Sequence, residues 1–513
     1  MALFARRKRG GGGGRGSAVV LLFLVRPREA PPGSGRAAAT AAGGADTTCA
    51  GPQGFCLAAL GAVFLSYPPE PDAADPRPKG GGGAKAASEA ASEARRRESE
   101  RKAKRLRRQR GLGTVARNGT QDRCFSAVAA PLDNLKGKRS TWIYSTRSKL
   151  GGEYMRYSHM AMLEKFSNGS VVAAWQAGRE TEAELGQSIW YRFSKDKEGR
   201  RWWPARRLKV RQRSPLWSPV LHLDKSGALM LFYAESRDCI RPKAGRYPDR
   251  SVPGGDIKVT STRNGVAWTD PVLVLSQNDD GGAPKVLANK PIVTRNGNLV
   301  LPFWREVNRS AKGTRPGLCP VKAMKGSAGV LISQDHGRSW SPNGDVVHNS
   351  TWLIENSVIE QSKQHLVMYF RTFVGRVFES HSFDGGLAWD EPEHTSLQNP
   401  DSKLHAVRLK NGGLLMAHND HPKFHDDGFI RFRTNLILSY SNDAGATWRT
   451  IAKIDEDDEP GWQYHYPCIL EVSDCSVLVA YSKSYMDVEG YTKERLEDGI
   501  RVMEVKLPHR ALA

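Results

Sequence analysis

Between residues 159 and 483 the chain writes one pattern six times: an apolar run, a tight polar turn, and a second apolar run. The copies read HMAMLEKFSNGSVVAAWQ from 159, PVLHLDKSGALMLFYAE from 219, PIVTRNGNLVLPFWRE from 291, SVIEQSKQHLVMYFRT from 357, KLHAVRLKNGGLLMAHND from 403 and PCILEVSDCSVLVAYSK from 467. Three of the turns contain Asn-Gly, the residue pair that accepts positive φ in a two-residue β-hairpin loop. The returning runs are almost continuously apolar, as strands covered on both faces must be. The pattern predicts six β-hairpins.

A second phrase follows five of the hairpins. It reads SQDHGRSW at 333–340, SFDGGLAW at 382–389 and SNDAGATW at 441–448, with worn copies SKDKEGRRW at 194–202 and STRNGVAW at 261–268. In the last of these Arg263 stands where the clean copies have aspartate. The starts lie 49 to 72 residues apart, too long for a helical solenoid and suited to a four-stranded sheet with its loops. Six such sheets over roughly residues 140–508 make an all-β, six-bladed β-propeller. The last hairpin has no late phrase, so TWIYST (141–146) is expected to close the ring as the outer strand beside IRVMEVKL (500–507). A β-sandwich would not need a repeat of this length.

In the phrase, Asp335, Asp384 and Asp443 are placed to accept hydrogen bonds from turn N–H groups. Gly337, Gly386 and Gly445 permit positive φ, and Trp340, Trp389 and Trp448 can pack between blades. Ser-x-Asp-x-Gly-x-x-Trp resembles the Asp-box, or BNR repeat, of the sialidase (neuraminidase) superfamily, whose members are six-bladed propellers. The resemblance covers about 370 residues and implies that the phrase is a structural turn between a blade's third and fourth strands. Chemistry is therefore expected at the other end, where first strands begin and second strands finish. That set includes Tyr157-Ser158-His159, Trp217, Asn289-Lys290, Glu355, Asp401, Tyr464-His465-Tyr466, Gln176, Glu235, Arg371 and His418-Asn419.

The resemblance implies roles for some of these. Glu355 and Arg371 flank one hairpin as the family's catalytic glutamate and a carboxylate-binding arginine do, and Arg433 in RTNLILSYSNDAGATW matches another such arginine. Tyr466 opens the last hairpin as the nucleophilic tyrosine does, with Tyr464 as alternate. A phenol avoids the repulsion that a carboxylate nucleophile would meet from an acidic sugar, and guanidinium groups bind a carboxylate bidentately. The acid is expected from Glu180, Glu182 or Glu184, or from Glu235. Where the family opens its first hairpin with Arg-Ile-Pro this chain reads Tyr157-Ser158-His159, so the arginine set is one short and His159 takes the vacant place. Lys290, Asn289, Asp401, Trp217 and His418 complete the expected substrate contacts. The implied activity is an exo-glycosidase on a terminal, acidic sugar of a glycan, without metal or other cofactor. A glycan-binding propeller without catalysis and a polysaccharide lyase on the same fold are the alternatives.

Composition separates residues 1–117 from the propeller region 118–513. The first segment holds 22 Lys+Arg against 9 Asp+Glu, with Gly runs and few aromatics. It buries too little apolar surface to offset its ordering entropy and is expected to be a disordered, low-complexity region. Its basic stretch 93–110 reads as a solvated linker helix, because no aromatic residues interleave for stacking on a nucleic acid; none is expected on the propeller either. The runs AVVLLFLV (18–25) and GFCLAALGAVFLSY (54–67) suggest a signal peptide or membrane anchor, with an organellar transit peptide as alternative. Sequons at Asn118, Asn168, Asn308 and Asn349 fit a secretory route. Seven cysteines show no metal spacing, and Cys239 and Cys319 are the pair placed to bond if the compartment is oxidising.

Overall fold

The computed structural model describes residues 139–237, 239–240, 250–306, 326–421, 433–455, 461–474, 476–485 and 498–507. The expectations for residues 1–117, for Cys319 and for the side chain of Cys239 lie outside them. The six expected hairpins are each the inner pair of a four-stranded antiparallel blade. Blade 1 comprises Tyr157–Lys165, Val171–Gly178, Ser188–Phe193 and Arg206–Arg207. Blade 2 comprises Leu216–Leu223, Leu229–Glu235, Asp256–Thr262 and Val272–Leu275. In blade 3 the inner strand is split into Lys285–Leu287 and Ile292–Val293, followed by Leu299–Arg305, Ser327–Ser333 and Ser341–Val346. Blade 4 is Ile354–Ser362, His365–Arg371, Gly375–Ser382 and Glu393–Asn399. Blade 5 is His405–Arg408, Leu414–Asn419, Leu436–Ser441 and Arg449–Asp455.

Blade 6 closes the ring as the sequence suggests. Trp462–Ser473, Ser476–Tyr485 and Gly499–Lys506 are completed by the first described strand, Arg139–Ser145, with Thr141 opposite Val502 and Trp142 opposite Arg501. The second strand of every blade is sandwiched between its own sheet neighbours and the adjoining blades, and Trp175, Phe232, Phe303 and Phe370 on these strands are fully buried. That burial explains their unbroken apolar runs.

The box phrases are the expected turns. Asp335 Oδ1 accepts from the N–H groups of Arg338 (3.0 Å) and Ser339 (2.9 Å) and from the Ser333 hydroxyl (2.8 Å). The Ser333 oxygen in turn accepts from Gly337 N–H at 2.7 Å, and Asp384 and Asp443 repeat the arrangement. The Ser339 hydroxyl, which donates to Asp335 Oδ2 at 2.5 Å, and after it the Ser339 N–H and the Ser333 hydroxyl hold Asp335 far below the usual carboxylate range. Trp340 meets Phe232 of the preceding blade edge-on at 5.5 Å, and Trp448 meets Tyr369 at 6.0 Å. The worn copy at 261–268 corrects the sequence alignment. Asn264, not Arg263, takes the aspartate's part, accepting from Val266 and Ala267 N–H at 2.9 Å in a turn one residue shorter.

At the opposite end of the inner strands a feature recurs that the repeat pattern did not disclose. In blades 1, 2, 4 and 6 the pairing slips by one residue between His159 and Met162, Trp217 and Val220, Ile354 and Ser357, and His465 and Cys468. The first residue inside each slip has positive φ: Met160 (58°), Ser218 (52°), Glu355 (50°) and Tyr466 (60°). None is glycine, so each β-bulge holds a conformation costing on the order of 1–3 kcal/mol. The bulge re-aims these four equivalent side chains.

Candidate functional site

All four bulge residues line one cavity of about 360 Å³. Within it the Tyr466 hydroxyl donates to Glu355 Oε1 at 2.5 Å. Arg371 Nη1 donates to both Glu355 oxygens at 2.8 Å and to the Tyr466 oxygen at 2.6 Å. Its Nε donates to Asp401 Oδ1 at 2.9 Å, a carboxylate with no solvent exposure. The Arg433 guanidinium lies 5.5 Å over the Tyr466 ring, and its side chain makes no hydrogen bond or ion pair among the described residues. It is an uncommitted cation facing the cavity.

Burial pushes the Tyr466 phenol up, and Glu355 adds to this against the opposing pull of Arg371 and Arg433. The phenol is therefore protonated at neutral pH and needs a base, which Glu355 is placed to be. Burial works against the Arg371 charge, but Glu355, Tyr466 and Asp401 hold it well above the ordinary arginine value. Burial and then Arg371 lower Arg433. His159 is pulled far down by burial and by Arg433 and Arg371, so the imidazole is neutral at pH 7. Its ring lies 3.9 Å from that of Tyr466, and its Nδ1 meets the Ser482 hydroxyl at 2.9 Å.

Glu182 stands on the same cavity in a directed relay. Ser218 N–H donates to Gln176 Oε1 at 2.8 Å, which turns Gln176 Nε2 toward the Tyr157 oxygen, also at 2.8 Å. With that lone pair engaged, the Tyr157 proton points at Glu182 Oε1, 2.6 Å away. The site thus contains two tyrosine–carboxylate pairs, Tyr466–Glu355 and Tyr157–Glu182. Burial, followed by Glu182, raises Tyr157 well above the ordinary phenol value.

A family comparison decides the relationship. Residues 169–479, more than half of the chain, match the BNR repeat-like domain. The chain belongs to the BNR repeat-like family. No curated protein matches the sequence of this BNR propeller. Among solved structures it is similar to a protein of unknown function from Dyadobacter fermentans, at 17% identity and a TM-score of 0.52, over 72% of this chain and 99% of that one. It is also similar to the Hadza microbial sialidase Hz136, at 19% identity and 0.53, over 71% and 68% of the two chains. Trypanosoma rangeli sialidase in complex with sialic acid matches at 16% identity and 0.52, over 72% of this chain and 59% of that one. At these identities the likeness is one of fold: the six-bladed propeller of the sialidases.

The BNR propeller brings Glu355, Tyr466, Arg371, Arg433, His159, Glu182 and Trp217 to one cavity. Five expectations are corrected. Glu235 is spent elsewhere, accepting from Arg213 N–H at 2.9 Å and Lys258 Nζ at 2.5 Å. Lys290 pairs with Glu164 at 2.7 Å, because the split inner strand of blade 3 carries no equivalent bulge. Asn289 is fully buried and donates to the carbonyls of Glu355 (3.0 Å), Asn356 and Leu404 (both 3.1 Å), so it clamps the bulge from behind. Asp401 supports Arg371 rather than facing the cavity, and buried His418 is held by Ser439 Oγ at 2.9 Å and the Gln398 carbonyl at 3.2 Å. Of the alternates, Glu180 pairs with exposed Arg156 and Glu184 accepts from Arg179 N–H, leaving Glu182 as the cavity's acid from that loop. Tyr157 and Gln176 stood among the expected strand-end residues without a role. The signal in the sequence was a second tyrosine opening a hairpin, at the first blade as at the last.

Proposed function

We propose that this propeller is a retaining exo-glycosidase acting on a terminal sugar that carries a carboxylate. The observation that carries the reading is the 2.5 Å contact between Tyr466 and Glu355, bridged by Arg371, with Arg433 uncommitted beside it. In the first step Glu355 takes the phenolic proton as Tyr466 Oη bonds to the anomeric carbon. Glu182, held through one oxygen by Tyr157, gives its proton to the departing glycosidic oxygen. In the second, Glu182 takes a proton from water, whose oxygen displaces Tyr466 from the anomeric carbon, and Glu355 returns the proton to the phenolate. Two displacements retain configuration. Arg371 and Arg433 hold the substrate carboxylate, and neutral His159 contributes a hydrogen bond rather than a third positive charge.

Glu355→Gln and Tyr466→Phe test this on fluorogenic sialosides and uronosides. Each is expected to lower turnover by about a thousandfold while the protein stays folded, since Asp401 still neutralises Arg371. Undiminished hydrolysis in both variants would refute the assignment. The contact of neutral His159 with Tyr466 also suits a second reading, β-elimination from a uronate. An unsaturated product absorbing in the ultraviolet would mark that reaction, and a hydrolase produces none.

A further inference from the structure

The net charge of residues 118–513 is +9, and it is not evenly spread. The segment 192–213, YRFSKDKEGRRWWPARRLKVRQR from Tyr191, holds ten Lys+Arg against Asp196 and Glu198, so +8 of that +9 sits on the outer edge of blade 1. Two of its arginines are neutralised, Arg200 by Glu504 and Arg201 by Asp196. Arg206, Arg207, Lys209 and Arg211 are exposed and have no carboxylate partner among the described residues. They alternate with buried Leu208 and half-buried Val210, which fix the segment to the blade.

Beside this edge, between blades 1 and 6, lies a cleft of about 810 Å³. Arg147, Lys149, Arg192 and Arg501 line it, and no Asp or Glu does. Arg501 is paired from behind with Asp455 at 2.9 Å and Arg192 donates to the Trp203 and Ile143 carbonyls, so the exposed Arg147 and Lys149 carry the cleft's unpaired charge among the described residues. Pro204 and Ala205 of the cleft lead directly into Arg206 and Arg207, and the cleft is separate from the cavity of Tyr466. Glu153, Glu180 and Glu184 share the neighbouring hollow with Arg206, Arg207 and Lys209, but Glu180 is paired with Arg156, Glu153 with Arg179, and Glu184 accepts from the Arg179 N–H. The aromatic rings of the edge and cleft are already faced by cations: Lys195 lies 4.6 Å over Trp203, Arg501 5.3 Å over Trp142, and Arg192 5.8 Å over Trp202. A single-stranded nucleic acid is held by bases stacking on open aromatic faces, and one face of each of these rings is already taken by a cation. What the surface offers is a row of cations and a sugar-sized basic cleft.

We infer that the outer edge of blade 1 and the adjoining cleft form a second binding surface, for an acidic polysaccharide bearing sulfate or uronate groups. The surface holds a polymer by ion pairing along the edge, with one anionic residue seated in the cleft. Neighbouring cations that lack partners repel one another, and a polyanion relieves that repulsion while releasing its own counterions.

The test titrates the full chain with heparin and with a single-stranded DNA oligonucleotide of matched charge, at several salt concentrations. Wild type is compared with R206E/R207E/K209E/R211E and with the milder R206Q/R207Q/K209Q/R211Q, which keeps polar side chains of similar reach. Each set is also made with charge reversals at Arg105, Arg107, Arg108 and Arg110, so that the basic N-terminal segment does not mask the effect. The edge variants are expected to lose heparin affinity by about tenfold or more and to show a flatter salt dependence, in both N-terminal backgrounds. Their turnover of a small fluorogenic glycoside and their melting temperature are expected to match wild type. Unchanged heparin affinity in the edge variants overturns the proposal, as does wild-type binding of the oligonucleotide at least as tight as that of heparin.

Discussion

Asp335 and Glu355 occupy opposite ends of neighbouring blades. Every hydrogen bond described for the Asp335 carboxylate comes from within four residues of it, so its turn is complete as soon as that stretch is made. Glu355 takes its hydrogen bonds from Arg371, 16 residues on, and Tyr466, 111 residues on. The first carboxylate reports local geometry, and the second exists as a site only when blades 4 and 6 are both in the ring. One end of the blade is a set of independent turns, and the other is a single assembled object.

Arg371 gives the largest expected break in that comparison. Arg371→Met leaves Glu355 and Asp401 buried without their shared cation, which is expected to destabilise the fold by about 3–5 kcal/mol and to abolish turnover; chemical denaturation and a glycosidase assay check both. At the box end, Trp340→Ala removes a half-buried ring that packs between blades. A loss of about 2 kcal/mol is expected, below the usual range for a fully buried tryptophan. KM and kcat per folded molecule should be unchanged, and a changed KM would show the two ends to be coupled.

A buried lysine near the axis sharpens the comparison through pH. Burial pulls Lys403 down to about 8 from 10.5 in the unfolded chain, and its Nζ donates to the Pro467 carbonyl at 2.6 Å. Between those two values the unfolded state binds more protons than the folded one, so this group makes stability rise with pH across that window. Lys403→Met is expected to remove that rise, as measured by denaturation at pH 8 and pH 10. The smallest effect is expected from Gln176→Leu. It frees the Tyr157 oxygen to accept a proton, so Glu182 loses a fixed donor. A fall in kcat of about tenfold, with the alkaline limb of the kcat/KM profile, which Glu182 sets as the general acid, displaced and KM little changed, is the expected result; a changed KM alone would make Gln176 a packing residue.

The blades were legible in the sequence because strand alternation and Asn-Gly turns are local signals, and ring closure followed from one missing outer strand. The site was legible only as a set of strand ends. Glu355, Tyr466 and Arg371 were found through family resemblance, whereas Asn289, Lys290, Asp401 and His418 sat at comparable strand ends and proved to face elsewhere. The reason is the bulge. It shifts register by one residue in four blades and is absent from blade 3, and no residue type announces it, since Met160, Ser218, Glu355 and Tyr466 share no chemistry. Glu182 could not be separated from Glu180 and Glu184 because loop conformation, not spacing, chooses among them.

The strand Arg139–Ser145 leaves the ribosome before the other described strands, yet its partner, Gly499–Lys506, follows all of them. Until that strand is made the propeller is an open arc with two unsatisfied sheet edges, and such edges invite pairing with another chain. Closure is a long-range search, with the contact made between segments more than 350 residues apart, since Thr146 bonds to Asp498 across 352 positions. Long-range strand pairing of this kind is slow. Swapping of this first strand between nascent copies is therefore the misassembly to which the ring is most open.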